Sequence, residues 1–271
     1  MFGFILKKNF CDGWDNLISV IMANLVFLFS GIGLVLLNGF AGRTDSELLV
    51  LAALLFSSVF LSILAFAYSD SAAHIANFEG IHLLDFFKSI PGALKDGALF
   101  GLMNAAVFLI SSFSIRYYIV ESGSLIGFAL GCVIFWVDFF YLLAMQWFIP
   151  IRALMHNNFG KCFKKSFLIL FDNTGFSLLM AFYNLILLAL SVVCIGFFPS
   201  MTGILIADTN ALRVLLYKYD YLEEHPELKT KKERGQIPWD DLLMEDREIL
   251  GPRPIRSFLF PWKDDSQQQD L

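Results

Sequence analysis

Long uncharged stretches alternate with short charged ones along this chain, and that alternation predicts its elements. Residues 16–37, 48–69, 98–115, 125–149 and 174–198 are each apolar, with Asp138 the single charge among them. About 20 such residues cross a bilayer as a helix, so these stretches read as five crossings. A sixth stretch, residues 200–219, is weaker because it holds Asp208, Asn210 and Arg213. The distribution of basic residues decides how to read it. With six crossings, Lys7, Lys8, Lys88, Lys95, Arg152, Lys161, Lys164 and Lys165 share one side, against Arg43 and Arg116 on the other. Five crossings would send Lys229, Lys231, Lys232 and Arg234 outward, against the bias of cytosolic loops toward Lys and Arg. The expectation is an all-α polytopic bundle of six transmembrane helices in the cytoplasmic (inner) membrane, with both termini cytosolic. The alternative is five crossings plus a re-entrant or interfacial helix.

Between the crossings the pattern becomes amphipathic. Residues 1–14 have one apolar face, and Ile81, Leu84, Phe87 and Ile90 fall at helical spacing before Pro91-Gly92. This second segment predicts a helix lying in the interface and stopped by the proline. Residues 151–171 form another basic ramp, apolar at Met155, Phe159, Cys162, Phe163 and Phe167, after a fourth crossing that ends at Pro150. Lys88, Lys95, Lys161, Lys164 and Lys165 on these ramps would attract anionic lipid headgroups, so the expected partner is the bilayer itself.

The ramps also repeat. Lys7-Lys8 and Asp15-Asn16 are separated by six residues, as are Lys164-Lys165 and Asp172-Asn173. At an offset of 76, Phe87, Lys88, Leu94, Asp96, Phe100, Leu102 and Ala105 match Phe163, Lys164, Leu170, Asp172, Phe176, Leu178 and Ala181. Three such hairpins in one orientation would make a parallel repeat about the membrane normal. Asp15, Asp96 and Asp172 then stand where each outgoing helix begins, which predicts three helix N-caps.

Composition sharpens the class. The chain is 57% hydrophobic and 17% charged, with thirty Phe, which marks an integral membrane protein. Its net charge of -5 lies wholly in residues 220–271, where 13 Asp and Glu meet 8 Lys and Arg. This divides the chain into a transmembrane domain, 1–219, and an acidic cytosolic tail, 220–271. In the tail, Pro238 and Gly251 bracket a short helix, and residues 253–263, RPIRSFLFPWK, are apolar enough to dock on the basic ramps. The amino terminus lacks the basic-then-apolar order of a cleaved signal and is expected to stay attached.

The segments WDNLISVIMANL, DFFKSIPGALKDGALFGL and KKSFLILFDNTGFSLLM resemble the YesL-like family of uncharacterised bacterial integral membrane proteins. The resemblance covers roughly residues 1–219 and leaves the tail unexplained. It implies an accessory role beside carbohydrate ABC uptake systems, hence transporter subunits as partners, and supplies no catalytic residues.

Candidate chemistry is sparse. Cys11, Cys132, Cys162 and Cys194 stand apart, as do His74, His82, His156 and His225, so neither a metal site nor a disulfide framework is expected. No nucleophile-base pair, phosphate loop or nucleic-acid motif is present, and no cofactor is implied. Asp138 and Asp208 are the residues most out of place, since an intramembrane carboxylate suggests function by default. Each lies eleven residues from its expected cytosolic end, so they should share a depth, where repulsion would favour a shared proton or a cation. Otherwise Asp138 bonds a neighbouring Asn or Ser. Asn24, Asn104, Asn184 and Asn210 place amides inside four crossings, for interhelical hydrogen bonds. Arg213 is expected to snorkel to the inner interface. Two function classes follow: a non-enzymatic accessory or scaffold protein, or a small proton- or cation-coupled transporter using Asp138 and Asp208. The sequence leaves the oligomeric state open.

Overall fold

A computed structural model describes residues 1–228 and 237–253, and every element in it is helical. In chain order these are α1 (Phe2–Asp15), α2 (Leu17–Ala41), α3 (Glu47–Ala76), α4 (Leu83–Ile115), α5 (Leu125–Met145), α6 (Phe148–Met155), α7 (Phe159–Asp172), α8 (Thr174–Val193), α9 (Ser200–Glu224), α10 (Trp239–Leu242) and α11 (Met244–Leu250). Five helical stretches, those holding α2, α3, α4, α5 and α8, are long and apolar enough to cross a membrane. The chain is an all-α membrane helix bundle.

Two copies of the repeat fold alike. α1 and α7 are both 14 residues long, and each ends on the aspartate of its Asp-Asn pair. The asparagine that follows leaves helical geometry, Asn16 at φ -106° and Asn173 at φ -129°. Each asparagine amide donates back to the carbonyl four residues earlier, Asn16 to Asp12 at 2.9 Å and Asn173 to Ile169 at 3.3 Å. The ramp is thereby closed and the crossing starts afresh. The third copy differs. α4 runs through Pro91 without a stop, so the separate interfacial helix ending at Pro91-Gly92 does not form. Phe87, whose carbonyl loses its donor because Pro91 has no N–H, is exposed, so that carbonyl is not sealed in the core. Packing also grips both sides of the proline, through buried Phe86 against Phe27 and Tyr68 and through buried Ala93.

The expected stop at Pro150 is displaced for a related reason. α5 ends at Met145, and Pro150 falls in the first turn of α6, where no backbone donor is required. His156 at φ 48° ends α6 in the left-handed region and splits the second ramp into α6 and α7. Beyond Ile115 the third crossing continues as a π-helical turn, Arg116–Glu121.

α3 and α4 form the tightest pair. A Cβ on Gly97 would lie 2.7 Å from the Ile63 Cα, and one on Gly101 would lie 2.5 Å from the Val59 Cα. Both positions therefore need glycine, and the Ser58 hydroxyl bonds the Gly101 carbonyl at 2.8 Å across the same contact. Gly131 instead faces Ile119 of the π-helical turn and Gly127 faces Ser122 just after it, so the two glycine pairs serve different partners.

α9 is the hub. It packs against α1, α2, α3, α6 and α8, and every residue from Leu205 to Leu212 is buried. Its weak hydropathy follows from that enclosure, because a helix faced by protein does not have to be apolar toward lipid.

The turn into α9, Cys194-Ile-Gly-Phe-Phe-Pro199, is apolar and lies against α2, about two turns from that helix's start. Its backbone is satisfied from within the protein. The Asn24 amide donates to the Phe197 and Pro199 carbonyls, both at 3.0 Å. Its oxygen accepts from the Thr202 N–H at 3.2 Å and hydroxyl at 2.9 Å, while Ser191 Oγ accepts from the Ser200 N–H at 2.7 Å. Asn24→Leu removes four bonds around one buried side chain. At about 1–3 kcal/mol for each buried group left unpaired, it should destabilise the protein by about 3 kcal/mol or more. Thermal unfolding in detergent, with Asn38→Leu as the control, checks this; equal melting of the two variants would refute it.

Candidate functional site

The densest polar chemistry lies where α1, the end of α3, α9 and the tail helices meet. Lys8 and Asp12 are one turn apart on the face of α1 that meets α9, so α1 buries a charged pair along with its apolar residues. Lys8 is 1% exposed, with Nζ 3.0 Å from Asp12 Oδ2 and 3.6 Å from the centre of the Phe78 ring. The Asn210 amide bridges Asn9 Oδ1 at 2.8 Å and Asp12 Oδ2 at 2.7 Å. Roughly one turn further along α9, Arg213 grips Asp246 of α11 with two nitrogens, at 2.6 and 3.1 Å. It also donates to Asn77 at 3.2 Å, and its guanidinium is 5.2 Å from the Phe78 ring. Phe78 thus stands beside two cations, and Tyr217 adds its hydroxyl to Asp246 at 3.2 Å.

Burial sets the electrostatics here. Loss of water lowers the Lys8 pKa, and Asp12 opposes that shift only in part. Loss of water likewise raises the Asp12 pKa against the pull of Lys8 and Asn210. The Cys11 thiol is also pushed up by burial, which makes it a poor nucleophile. What this network can do is hold charges in fixed pairs and lock four segments together.

The tail is fastened by the same face. Lys7 donates to the Gly251 carbonyl at 2.8 Å, Arg253 pairs with Asp15, and Leu243 and Leu250 are buried in the core. Arg213 therefore does not snorkel; it is a structural anchor for α11. Of the residues 253–263 expected to dock on the ramps, only Arg253 is described, and it reaches Asp15 on α1 instead. Residues 254–263, and Lys229, Lys231, Lys232 and Arg234, lie outside the described residues.

Asp138 and Asp208 have separate partners. Asp138 accepts from the Ser111 hydroxyl of α4 at 2.8 Å, beside an open cleft of about 540 Å³. Asp208 is 4% exposed and accepts from the Asn184 amide of α8 at 2.8 Å. The two carboxylates thus belong to different helix contacts rather than to one proton-sharing pair. Asn104 bonds Phe100 and receives the Tyr141 hydroxyl at 2.9 Å, so all four amides, with Asn24 and Asn210, join helices.

The three aspartates do not cap. Asn16 and Asn173 occupy the N-cap positions of α2 and α8, neither with a side-chain cap bond, and Asp96 lies inside α4. Each aspartate holds a cation instead: Asp15 has Arg253, Asp96 has Arg152 at 2.6 Å, and Asp172 has Lys218 at 2.9 Å. Burial acts to raise the Asp172 pKa, but bonds from Lys218 and Tyr219 outweigh it and hold the carboxyl below its ordinary value.

Of the ramp lysines, Lys88 pairs with Asp85 at 3.0 Å, and Lys165 approaches the Met155 sulfur at 3.6 Å. Lys161 and Lys164 are exposed, and Lys95 lines a polar cleft of about 780 Å³ with Arg152 and His156. Among the described residues no three His, Cys, Asp or Glu are grouped to hold a metal.

Sequence reasoning missed the Lys8–Asp12 pair and the Arg213–Asp246 clamp. The first had a usable signal, an i, i+4 pair of opposite charge on an amphipathic helix. Removing one partner of a buried pair leaves an uncompensated charge, at a cost of roughly 3–5 kcal/mol. Lys8→Met should lose about that much, and Lys8→Met with Asp12→Leu should recover most of it. Melting temperatures of the two variants in detergent check this; a double variant no better than the single would overturn it.

No family model, curated protein or solved structure matches the chain, so its resemblance to the YesL-like family stands on the quoted segments alone.

Proposed function

We propose that this chain is a non-enzymatic accessory or scaffold protein of a membrane transport system, in the cytoplasmic membrane with both termini cytosolic. The observation that carries this reading is the Arg213–Asp246 clamp. Its side chains are 16% and 4% exposed, and it makes the C-terminal helices part of the inner end of the bundle. A tail built into the bundle in this way, alongside α1, gives a fixed protein surface, which is what a docking protein has to present. The carbohydrate uptake systems implied by the resemblance define the class of partner to look for.

The transporter reading is weaker on this geometry. It needs Asp138 and Asp208 to act together, and their bonds to Ser111 and Asn184 supply each with a structural role. In orientation, α8 enters from the inner side and the enclosed α9 returns to it, with the turn between them set beside Asn24, about two turns above the start of α2, so the ramps and the tail stay on one side.

Affinity purification from native membranes tests the scaffold reading. Wild type should retain transporter subunits in fixed stoichiometry, and Asp246→Ala should lose most of them while inserting normally. Wild type that purifies alone, or proteoliposome ion flux abolished by Asp208→Asn, would replace this reading with the other. Orientation has its own test, with reporters fused after Ser122 and Lys232 expected to read outside and inside. An outward signal at Lys232 would mean five crossings.

A further inference from the structure

A slot of about 360 Å³ lies between α1, the start of α2, α8 and the first half of α9. Its walls are apolar: Val20, Leu187 and Ile206 are buried on its inner side, and Phe198 and Pro199 line it near the turn into α9. Ile186 and Leu190 also line it and are 43% and 48% exposed, so one flank opens sideways toward lipid. From Tyr183 to Cys194 the lining follows α8 for about 16 Å at 1.5 Å per residue. A slot of that length and 360 Å³ has room for an extended hydrocarbon chain.

One end of the slot is polar. Asn9 lines it beside Tyr183 and is 9% exposed. Its oxygen is taken by Asn210 at 2.8 Å, while its amide nitrogen has only a loose contact with the Tyr183 hydroxyl and no hydrogen bond of ordinary length and angle. A buried donor left unpaired is unfavourable, and a native structure that keeps one calls for an explanation. The volume also falls within the range of small-ligand sites, about 300–1,000 Å³ lined by apolar groups with a few placed polar ones.

We infer that this slot binds one hydrocarbon chain of an amphiphile whose carboxyl or ester carbonyl oxygen accepts a hydrogen bond from Asn9 Nδ2. The chain enters sideways past Ile186 and Leu190, and its apolar end lies toward Cys194 and Phe198. Such a site would make the packing of α1 and α8 around α9 responsive to lipid. It does not rest on the scaffold reading. Both a free fatty acid and an acyl chain of a phospholipid present this chemistry.

The test uses the full-length protein in detergent with a fatty acid carrying a photoreactive diazirine in mid-chain. After irradiation, adducts are mapped by peptide mass spectrometry. They should concentrate on residues 186–194 and 203–206, above the background on the exposed stretch 126–130 of α5. Leu190→Trp narrows the slot at a half-exposed position that tolerates it, and should cut slot labelling at least about 5-fold. Asn9→Leu removes the donor and should cut it about 3- to 10-fold, the worth of one hydrogen bond. Native mass spectrometry then separates the two sources, since a retained fatty acid and a retained phospholipid differ in mass; either one supports the site. Labelling spread equally over α5 and α8 and unchanged in both variants would overturn it. Labelling that Leu190→Trp abolishes and Asn9→Leu leaves intact would overturn the hydrogen bond to the acceptor.

Discussion

Irregular backbone in an apolar setting has to find its hydrogen-bond partners inside the protein, and that constraint governs this fold. The turn between α8 and α9 is made of residues that offer no polar side chain before Ser200. Water cannot be relied upon there, so Asn24 bonds two of its carbonyls and Thr202 at the start of α9. The position of α9 follows from that one side chain. With its first turn pinned to α2, its middle meets α1 and α3, and its C-terminal half reaches Asp172 and Asp246.

The charges farther along α9 do different work. A buried ion pair gains little net stability, because the attraction between partners is offset by the water each gives up. Lys8–Asp12 and Arg213–Asp246 are therefore better understood as devices that fix which segments meet. An apolar face would accept many registers of α1 on α9. An amide at Asn210 that needs both Asn9 and Asp12 accepts one. The same argument explains why α11, a helix of only seven residues, holds its place: Leu243 and Leu250 supply burial, and Asp246 supplies direction.

Much of this was legible in the sequence, and the rest failed for identifiable reasons. The helical class, the five apolar helices and the short helical segment before Gly251 follow from period and length. Pro91 was misread because a local breaker was weighed without the packing of Phe86 and Ala93 on either side of it. The capping role of Asp15, Asp96 and Asp172 failed because the helix boundary falls one residue later in two copies and does not exist in the third. Arg213 was placed at the interface because nothing local announces that a carboxylate 33 residues away will fold back onto it. Asn24 was recognised as a bonding residue, but its partners could not be named, since they lie 173 residues and more along the chain.

The repeated aspartates show how the tail belongs to the bundle. Asp96 takes Arg152 and Asp172 takes Lys218, in each case a cation from the segment that returns after its own hairpin. The first hairpin cannot follow this rule, because no Lys or Arg occurs between Arg43 and Lys88 and α3 ends through Asp70 and His74. Its aspartate, Asp15, is met instead by Arg253, which arrives from the far end of the chain. The pair is half-exposed, 48% and 39%, so its net energy is small. Its meaning is positional: the tail supplies to the first hairpin the cation that the other two supply to themselves. An acidic segment is thus held against the protein by the basic residues Lys7 and Arg213 beneath it and by its own Arg253.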